Sequence, residues 1–508
     1  MDESILIIEV HANHYIHVVS CHVDAYLSIH INYSHYPFCG VKLRPLHDEK
    51  VICIYKRFKH LKMYSYERTF CGDVSMRYWQ PKYETMKKDE RAELQLKRLK
   101  KTAAAVYNNV PFYREKFRQL GITPDDIKSL DDISKLPTTR KTDLRDNYPF
   151  NLFAVPKEEI VRIHASSGTS GKPTVVGYTK NDIENWSDLM ARNLTMAGLD
   201  SSDVFQNAVN YGLFTGGLGF HYGAERMGAM TVPSGTGNTA RQLEMMIDFG
   251  VTAVHCTPSY ALYLAETARE LDIVDKLSLR VGCFGAEPWS ANTRKQLENS
   301  LNIKAYDSYG LSELMGPGVA FECEEQDGLH IWSDHFYVEV LDENGEQVAE
   351  GEKGELVLTS LTKEALPIIR YRTGDITRLL ESECSCGRTT PRISRLLGRA
   401  DDMLIVRGIN VFPSQIEDVI VDIPEVTEHF QVLLDRNTKM LDEITVRVEL
   451  EENAFTGELK DLAAVRRHVE NELKSVLNIR TNVDLVEKGS IPRTAGKSQK
   501  VVDRRNAI

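Results

Sequence analysis

The sequence predicts a large α/β domain with a parallel sheet and a β-rich subdomain, followed by a small α+β C-terminal domain. Strand-like and helix-like segments alternate from about residue 160 to 310, the pattern of a sheet that carries ligand sites at its strand ends. From 330 to 398 the chain turns β-rich, with a hairpin signal at Asp342-Glu343-Asn344-Gly345. Beyond about 400 a shorter unit of alternating strands and helices begins.

The elements follow in order. Residues 1–75 carry eight of the fifteen histidines and four of the nine cysteines, with no sustained helical or strand period. They are expected to have no folded role, with Met76 as a plausible true start; the alternative is a His/Cys metal-binding arm. Removing them is expected to leave activity intact. Residues 76–400 form the expected large domain and 401–508 the small one. Glu90–Tyr107 reads as an amphipathic helix through Leu94, Leu96, Leu99 and Val106. Ile160–Ala165 and Val175–Tyr178 read as strands, and Asp182–Met196 as a helix. Val251–Cys256, Leu279–Phe284 and Ile303–Tyr306 read as buried strands, alternating with helices at Tyr260–Leu271 and Ala291–Leu301. In the small domain strands are expected at Met403–Val406, His429–Leu434, Glu443–Leu450 and Asn482–Leu485. Helices are expected there at Ser414–Ile423 and Asp461–Val476.

Composition narrows the function. The 508 residues are 42% hydrophobic and 27% charged, with a net charge of −11, an ordinary globular mix. An acidic chain without a basic block argues against nucleic-acid binding. No apolar run reaches the ~18 residues of a membrane helix, and the acidic start Met1-Asp2-Glu3-Ser4 is unlike a secretory signal. A cytoplasmic protein is expected. Nine cysteines make a disulfide scaffold improbable.

The run Ser166-Ser167-Gly168-Thr169-Ser170-Gly171-Lys172-Pro173-Thr174 stands between two strands. Its glycines admit close backbone approach, and its hydroxyls, N–H groups and lysine suit phosphate oxygens. It is not a Walker loop, because Ser166 and Pro173 occupy positions where that motif needs Gly and Ser or Thr. Taken alone, such a loop fits a surface turn equally well. A second candidate is Cys384-Ser385-Cys386-Gly387 with Cys323 and His330 upstream. Three thiolates and an imidazole make a closed tetrahedral zinc shell of structural type. Buried free cysteines are the alternative, and Cys256 beside His255 could replace one ligand.

Further segments follow in fixed order: Gly285-Ala286-Glu287-Pro288, Tyr309-Gly310-Leu311-Ser312-Glu313, Tyr371-Arg372-Thr373-Gly374-Asp375, Gly398-Arg399-Ala400-Asp401-Asp402 and Pro492-Arg493-Thr494-Ala495-Gly496-Lys497. With the phosphate loop, over about residues 76–508, this set resembles the adenylate-forming acyl-CoA synthetase superfamily. The stretches 211–219, 315–319, 362–367 and 407–413 look like its branch of aryl-acetate–coenzyme A ligases. The resemblance implies an AMP-forming ligase that joins an aryl acetic acid, phenylacetate first, to coenzyme A through an acyl-adenylate. It implies ATP, coenzyme A and Mg²⁺, small-molecule partners only, and a lid-like C-terminal domain; a homodimer is also open. Loading of a carrier protein and a silent nucleotide-binding regulator are the rivals.

Residue by residue, the resemblance implies that Thr169, Ser170 and Lys172 hold the β- and γ-phosphates and that Glu313 binds Mg²⁺. It implies that Asp375 holds the ribose hydroxyls, with Arg399 beside ribose and phosphate. Gly285, Ala286 and Glu287 would line the adenine slot opposite Asp307, Ser308 and Tyr309, whose ring offers a stacking face. Lys497 would reach the α-phosphate and the substrate carboxylate. Asp401 matches the hinge, where proline is expected to spare adenylation and stop thioester formation, and Gly408 would pass the pantetheine arm. Tyr211, Phe214, Gly216, Ala286 and Pro317 would form the acyl pocket. Two positions depart from the wider pattern. Asn410 replaces a common arginine, leaving the coenzyme A phosphate contacts unassigned. Ser308 stands where some relatives carry an apolar residue, which opens the pocket to a more polar aryl acid.

Overall fold

The computed structural model describes residues 78–166, 173–399, 404–406, 409–436, 442–451, 459–477, 479–492 and 500–505, together with short strands between 7 and 66. The chain divides into two compact units, Met1–Ser75 and Met76–Ile508. In the first unit Ile7–Val10 pairs with His14–His17, Ser28–His30 with Gly40–Lys42, and Val51–Arg57 with His60–Tyr66, all antiparallel. The sequence reading found no strand period here. Local hairpins do not require one, and Val51-Ile52-Cys53-Ile54-Tyr55 carries strand propensity without alternation.

In the second unit the first long helix is Lys88–Asn109, which buries Leu99, Ala103 and Val106 on one face. It stops at Val110, and Pro111 opens the next helix, Pro111–Leu120, at a position where a missing N–H costs nothing. A separate antiparallel hairpin, Arg162–Ala165 with Val175–Tyr178, carries the phosphate loop between its strands. The main sheet has twelve strands. Its first half is parallel, in the order Met230–Val232, Val204–Asn207, Ala253–Cys256, Val281–Gly285 and Lys304–Leu311. Val281–Gly285 is buried throughout, as befits a parallel strand covered on both faces.

At Lys304–Leu311 the sheet changes character. The chain reverses and Gly316–Glu322 returns antiparallel. A Cβ at Gly310 would lie 1.6 Å from the Gly316 carbonyl oxygen, so only glycine fits the crossing. Leu329–Ile331, Arg392–Ile393, Tyr371–Leu380, Lys353–Ser360 and Phe336–Leu341 extend the antiparallel half.

Several elements escaped the sequence reading, among them the short strand Val204–Asn207, next to the sheet edge, and Thr215–Met227, a helix containing four glycines. Glycine is a poor helix former, but a Cβ at Gly223 would lie 2.3 Å from Met190 Cβ and one at Gly219 would lie 2.8 Å from the Trp186 ring. Close packing on the helix Lys180–Met196 therefore overrides propensity.

The C-terminal region has its own core, which includes Ile416, Ile420, Phe430, Val432, Val446, Val448, Val469 and Leu473. Its sheet runs Asn482–Val486, Asp442–Leu450, Val426–Arg436, Val501–Asp503, with helices Pro413–Val421 and Leu459–Leu477. It meets the preceding domain through polar groups. Glu417 accepts from Thr293 Oγ1 at 3.2 Å and from Lys500 at 2.6 Å. Asn292 donates to Asp422 at 2.5 Å, and Lys488 pairs with Glu266 at 3.3 Å.

Candidate active site

The base of the phosphate loop is a hydroxyl clasp. Ser166 N donates to the Thr174 carbonyl at 3.1 Å, and the two side-chain hydroxyls lie 2.5 Å apart. Ser167, Gly168, Thr169, Ser170, Gly171 and Lys172 lie outside the described residues, as do Lys497, Asp401 and Gly408. Thr174, fully buried, donates to Glu313 Oε1 at 3.2 Å. The sequence reading named Thr174 only as the end of the loop; here it links the loop to the proposed metal carboxylate. Glu313 itself is 5% exposed, on the turn between Lys304–Leu311 and Gly316–Glu322.

Lys363 was also missed as a site residue. It is buried, sits 4.1 Å from the Tyr178 ring centroid, and donates to the main-chain carbonyls of Glu313 and Leu314. Desolvation pushes its ammonium down to about 7, opposed by Asp182 and Glu313.

Asp375 projects from Tyr371–Leu380. It accepts from Tyr309 Oη at 2.6 Å and from Arg399 Nη1 at 2.6 Å. Expected as a ribose acceptor, it is thus already oriented by two donors, and Arg399 is placed against it by strand pairing. Tyr309, expected to offer a stacking face, is 7% exposed, and its hydroxyl donates to Asp375. Burial and the Asp375 carboxylate hold that hydroxyl protonated, well above its usual range.

Gly285 and Ser308 face each other across adjacent parallel strands, and a Cβ at Gly285 would lie 2.4 Å from the Ser308 carbonyl oxygen. Ala286 follows with φ 72°, exposed at the strand end. Glu287 accepts from Ser259 N at 2.8 Å. Burial raises its pKa, relieved chiefly by Lys500 of the C-terminal region. Asp307 is likewise raised by burial, relieved chiefly by Arg395.

Separate local contacts hold Tyr211, Phe214, Gly216 and Pro317. Tyr211 Oη accepts from Asn207 at 2.8 Å and lies 3.2 Å from His221 Nδ1. A Cβ at Gly216 would lie 2.3 Å from the Phe214 ring. Pro317 reaches Gly219 on the same helix, and its carbonyl accepts from Ser308 Oγ at 3.4 Å.

Cys323, His330, Cys384 and Cys386 are all buried, and their ligand atoms lie within 4.8 Å of one another. Cys323 Sγ and Cys384 Sγ are 3.7 Å apart, and Cys386 Sγ and His330 Nε2 are 3.4 Å apart. Edges of a tetrahedron with the usual zinc bond lengths are about 3.8 Å for S···S and about 3.5 Å for S···N. His330 Nδ1 lies 2.9 Å from Thr390 Oγ1, which orients the ring. Cys256 is not in this group; it lies in the parallel sheet beside Cys283 and Phe284.

Fold and site define an adenylate-forming enzyme. The chain belongs to the AMP-binding enzyme family, whose profile matches residues 86–362, with the profile of the AMP-binding enzyme C-terminal domain over 408–505. Its curated relatives include the phenylacetate–coenzyme A ligase of Escherichia coli (strain K12), 51% identical over 84% of this chain and 97% of that protein. Another is the phenylacetate–coenzyme A ligase of Thermus thermophilus, 46% identical over 84% and 99%. Among solved structures, 2-hydroxyisobutyryl-CoA ligase is 32% identical and covers 87% of this chain and 95% of its own. The TM-score is 0.80 against its postadenylation state with an acyl-AMP and 0.64 against its thioesterification state.

Proposed function

We propose that this protein joins an aryl acetic acid, phenylacetate first among them, to coenzyme A, with ATP cleaved to AMP and pyrophosphate through an acyl-adenylate. The observation that carries the reading is the joining of the phosphate-loop hairpin to Glu313 through Thr174, with Asp375 set by two donors. Relatives covered nearly end to end support the same activity.

The division of labour follows from charge. Attack of a carboxylate on a phosphate brings anions together, so positive groups must stand where charge develops. Ser167, Gly168, Thr169, Ser170, Gly171 and Lys172 bind the β- and γ-phosphates. Thr174 and Glu313 supply the hard oxygen ligands that suit Mg²⁺, whose role is to neutralise the triphosphate. Asp375, held by Tyr309 and Arg399, receives the ribose. Gly285, Ala286, Asp307 and Ser308 line the adenine side. Tyr211, Phe214, Gly216, Ala286 and Pro317 receive the aryl group. Lys497 approaches on the C-terminal lid and steadies the pentavalent phosphorus. Rotation about Asp401 then brings Gly408 and the pantetheine arm to the acyl carbon.

A structural zinc ion held by Cys323, His330, Cys384 and Cys386 completes the reading. The donor set and its spacing fit a closed site that ties the β-rich subdomain together. The N-terminal 75 residues take no part in the chemistry.

The test is a panel of carboxylic acids. Pyrophosphate release that depends on an aryl acetate, followed by thioester formation with free coenzyme A, is the expected result. Release with no acid in the panel, or transfer only to a carrier protein, counts against the proposal.

A further inference from the structure

The segment 362–367 is pinned by polar contacts from separate parts of the chain. Asp182, fully buried, accepts from Glu364 N at 2.7 Å and from Ala365 N at 3.0 Å. Thr179 donates to the Glu364 carboxylate at 2.9 Å, and Thr362 Oγ1 lies 2.7 Å from His335 Nδ1. From this fixed base Lys363 points inward, only 3% exposed. Its ammonium donates to the Glu313 carbonyl at 3.4 Å and to the Leu314 carbonyl, and lies over the Tyr178 ring. Tyr178 ends the strand that leaves the phosphate loop, and its hydroxyl donates to the Ser312 carbonyl at 3.4 Å.

Burying a charge is costly unless it is paired and hydrogen-bonded. An apolar side chain of similar length would fill this space without that cost. The ammonium is spent on the main chain of Glu313 and its neighbour, between the loop hairpin and the turn that carries the carboxylate.

We propose that Lys363 is a positioning residue that fixes the Glu313 carboxylate against the phosphate-loop hairpin by gripping the main chain at Glu313 and Leu314. The inference rests on the reading of Glu313 as the residue that holds Mg²⁺ beside the nucleotide. A carboxylate displaced by about 1 Å can lose on the order of a hundredfold in effect. The bonds from Lys363 run to main-chain carbonyls, so its loss is expected to act first on metal-dependent steps.

The experiment uses the full chain with Mn²⁺ as the probe metal. Mn²⁺ uptake in the presence of a non-hydrolysable ATP analogue is followed by electron paramagnetic resonance, and metal-free AMP binding by calorimetry. In Lys363→Met, Mn²⁺–nucleotide binding is expected to weaken by about 10–100-fold. AMP binding is expected to stay within about threefold, and Lys363→Arg to recover most of the loss. Unchanged Mn²⁺ binding in Lys363→Met, or an equal loss for AMP, overturns the proposal. If Lys363→Met does not fold, Asp182→Asn loosens the same segment from its other side, and undiminished Mn²⁺ binding there overturns it too. Glu313→Gln is measured in parallel. Mn²⁺ binding unaffected by that change sinks the magnesium reading itself, whereas loss in Glu313→Gln without loss in Lys363→Met sinks only the role of Lys363.

Discussion

The nucleotide site and the Cys/His cluster are both buried and polar, yet they are built on opposite principles. Around Glu313 and Asp375 the acids accept hydrogen bonds from Thr174, Tyr309 and Arg399, and nearby Lys363 donates to carbonyls. Both acids are thus met by the protein's own donors. In the cluster, three sulfurs and one imidazole nitrogen converge on a common centre. On the proposed reading, a cation completes that set. The contrast is between acids satisfied by the protein's own donors and ligand atoms that face one another across a shared centre.

The sharpest way to break this comparison is to remove a sulfur. Cys386→Ser is expected to cut bound zinc from about one per chain to none, at a stability cost of more than about 4 kcal/mol. Elemental analysis and urea denaturation read the two effects. Full stability without metal would show the cluster to be an ordinary thiol core. Next comes Lys497→Ala, expected to slow acid-dependent pyrophosphate exchange by roughly 10²–10³-fold, about 3–4 kcal/mol, and to spare thioester formation from supplied acyl-adenylate. Equal loss in both half-reactions would contradict delivery of this amine by a lid.

An intermediate case is His255. It is 4% exposed, with Nδ1 2.8 Å from the Cys283 carbonyl and Nε2 lacking a hydrogen-bond partner. Burial pushes its pKa down to about 4, so between pH 6.5 and 4 the unfolded chain binds the extra proton. Stability contributed by the neutral ring is therefore present above pH 6.5 and lost as pH falls through that window, by about 1.4 kcal/mol per pH unit. Denaturation midpoints of His255→Asn against the parent should show a flatter acid slope; identical slopes would refute it. The smallest expected effect is Tyr309→Phe, which removes one donor from Asp375. It should raise the KM for ATP by about tenfold, as loss of a charged hydrogen bond at the low end of its range, about 1.5 kcal/mol, implies, while the KM for the aryl acid holds steady.

The alternation of strands and helices was legible because buried parallel strands such as Val281–Gly285 are short apolar runs bounded by turn residues. That Cys323, His330, Cys384 and Cys386 stand together was legible from residue type and the Cys-x-Cys-Gly turn. The glycine-rich helix Thr215–Met227 was not, because its reason lies in a neighbouring helix distant in sequence. Lys363 was hidden differently. It stood in a segment singled out for its likeness to the ligase branch, but a lysine between Thr and Glu reads as solvated. Only the fold turns it toward Glu313. The bond from the Tyr309 hydroxyl to Asp375 was not legible because the two residues lie 66 positions apart.

The polar seam at Glu417 bears on motion. Lys500 and Glu417 belong to the same side of the seam, so an ammonium leaving with the lid would take its counter-ion along. What is left to rupture includes one neutral donor at Thr293, one amide at Asn292 and the surface pair Lys488–Glu266. The Asn292–Asp422 contact is exposed, whereas the Thr293–Glu417 bond is buried and runs to a carboxylate, a kind worth about 1.5–3 kcal/mol. If this region moves as the proposed lid, Lys500 also leaves the buried Glu287 carboxylate, so each opening uncovers a lone acid that a proton or a returning ammonium must answer.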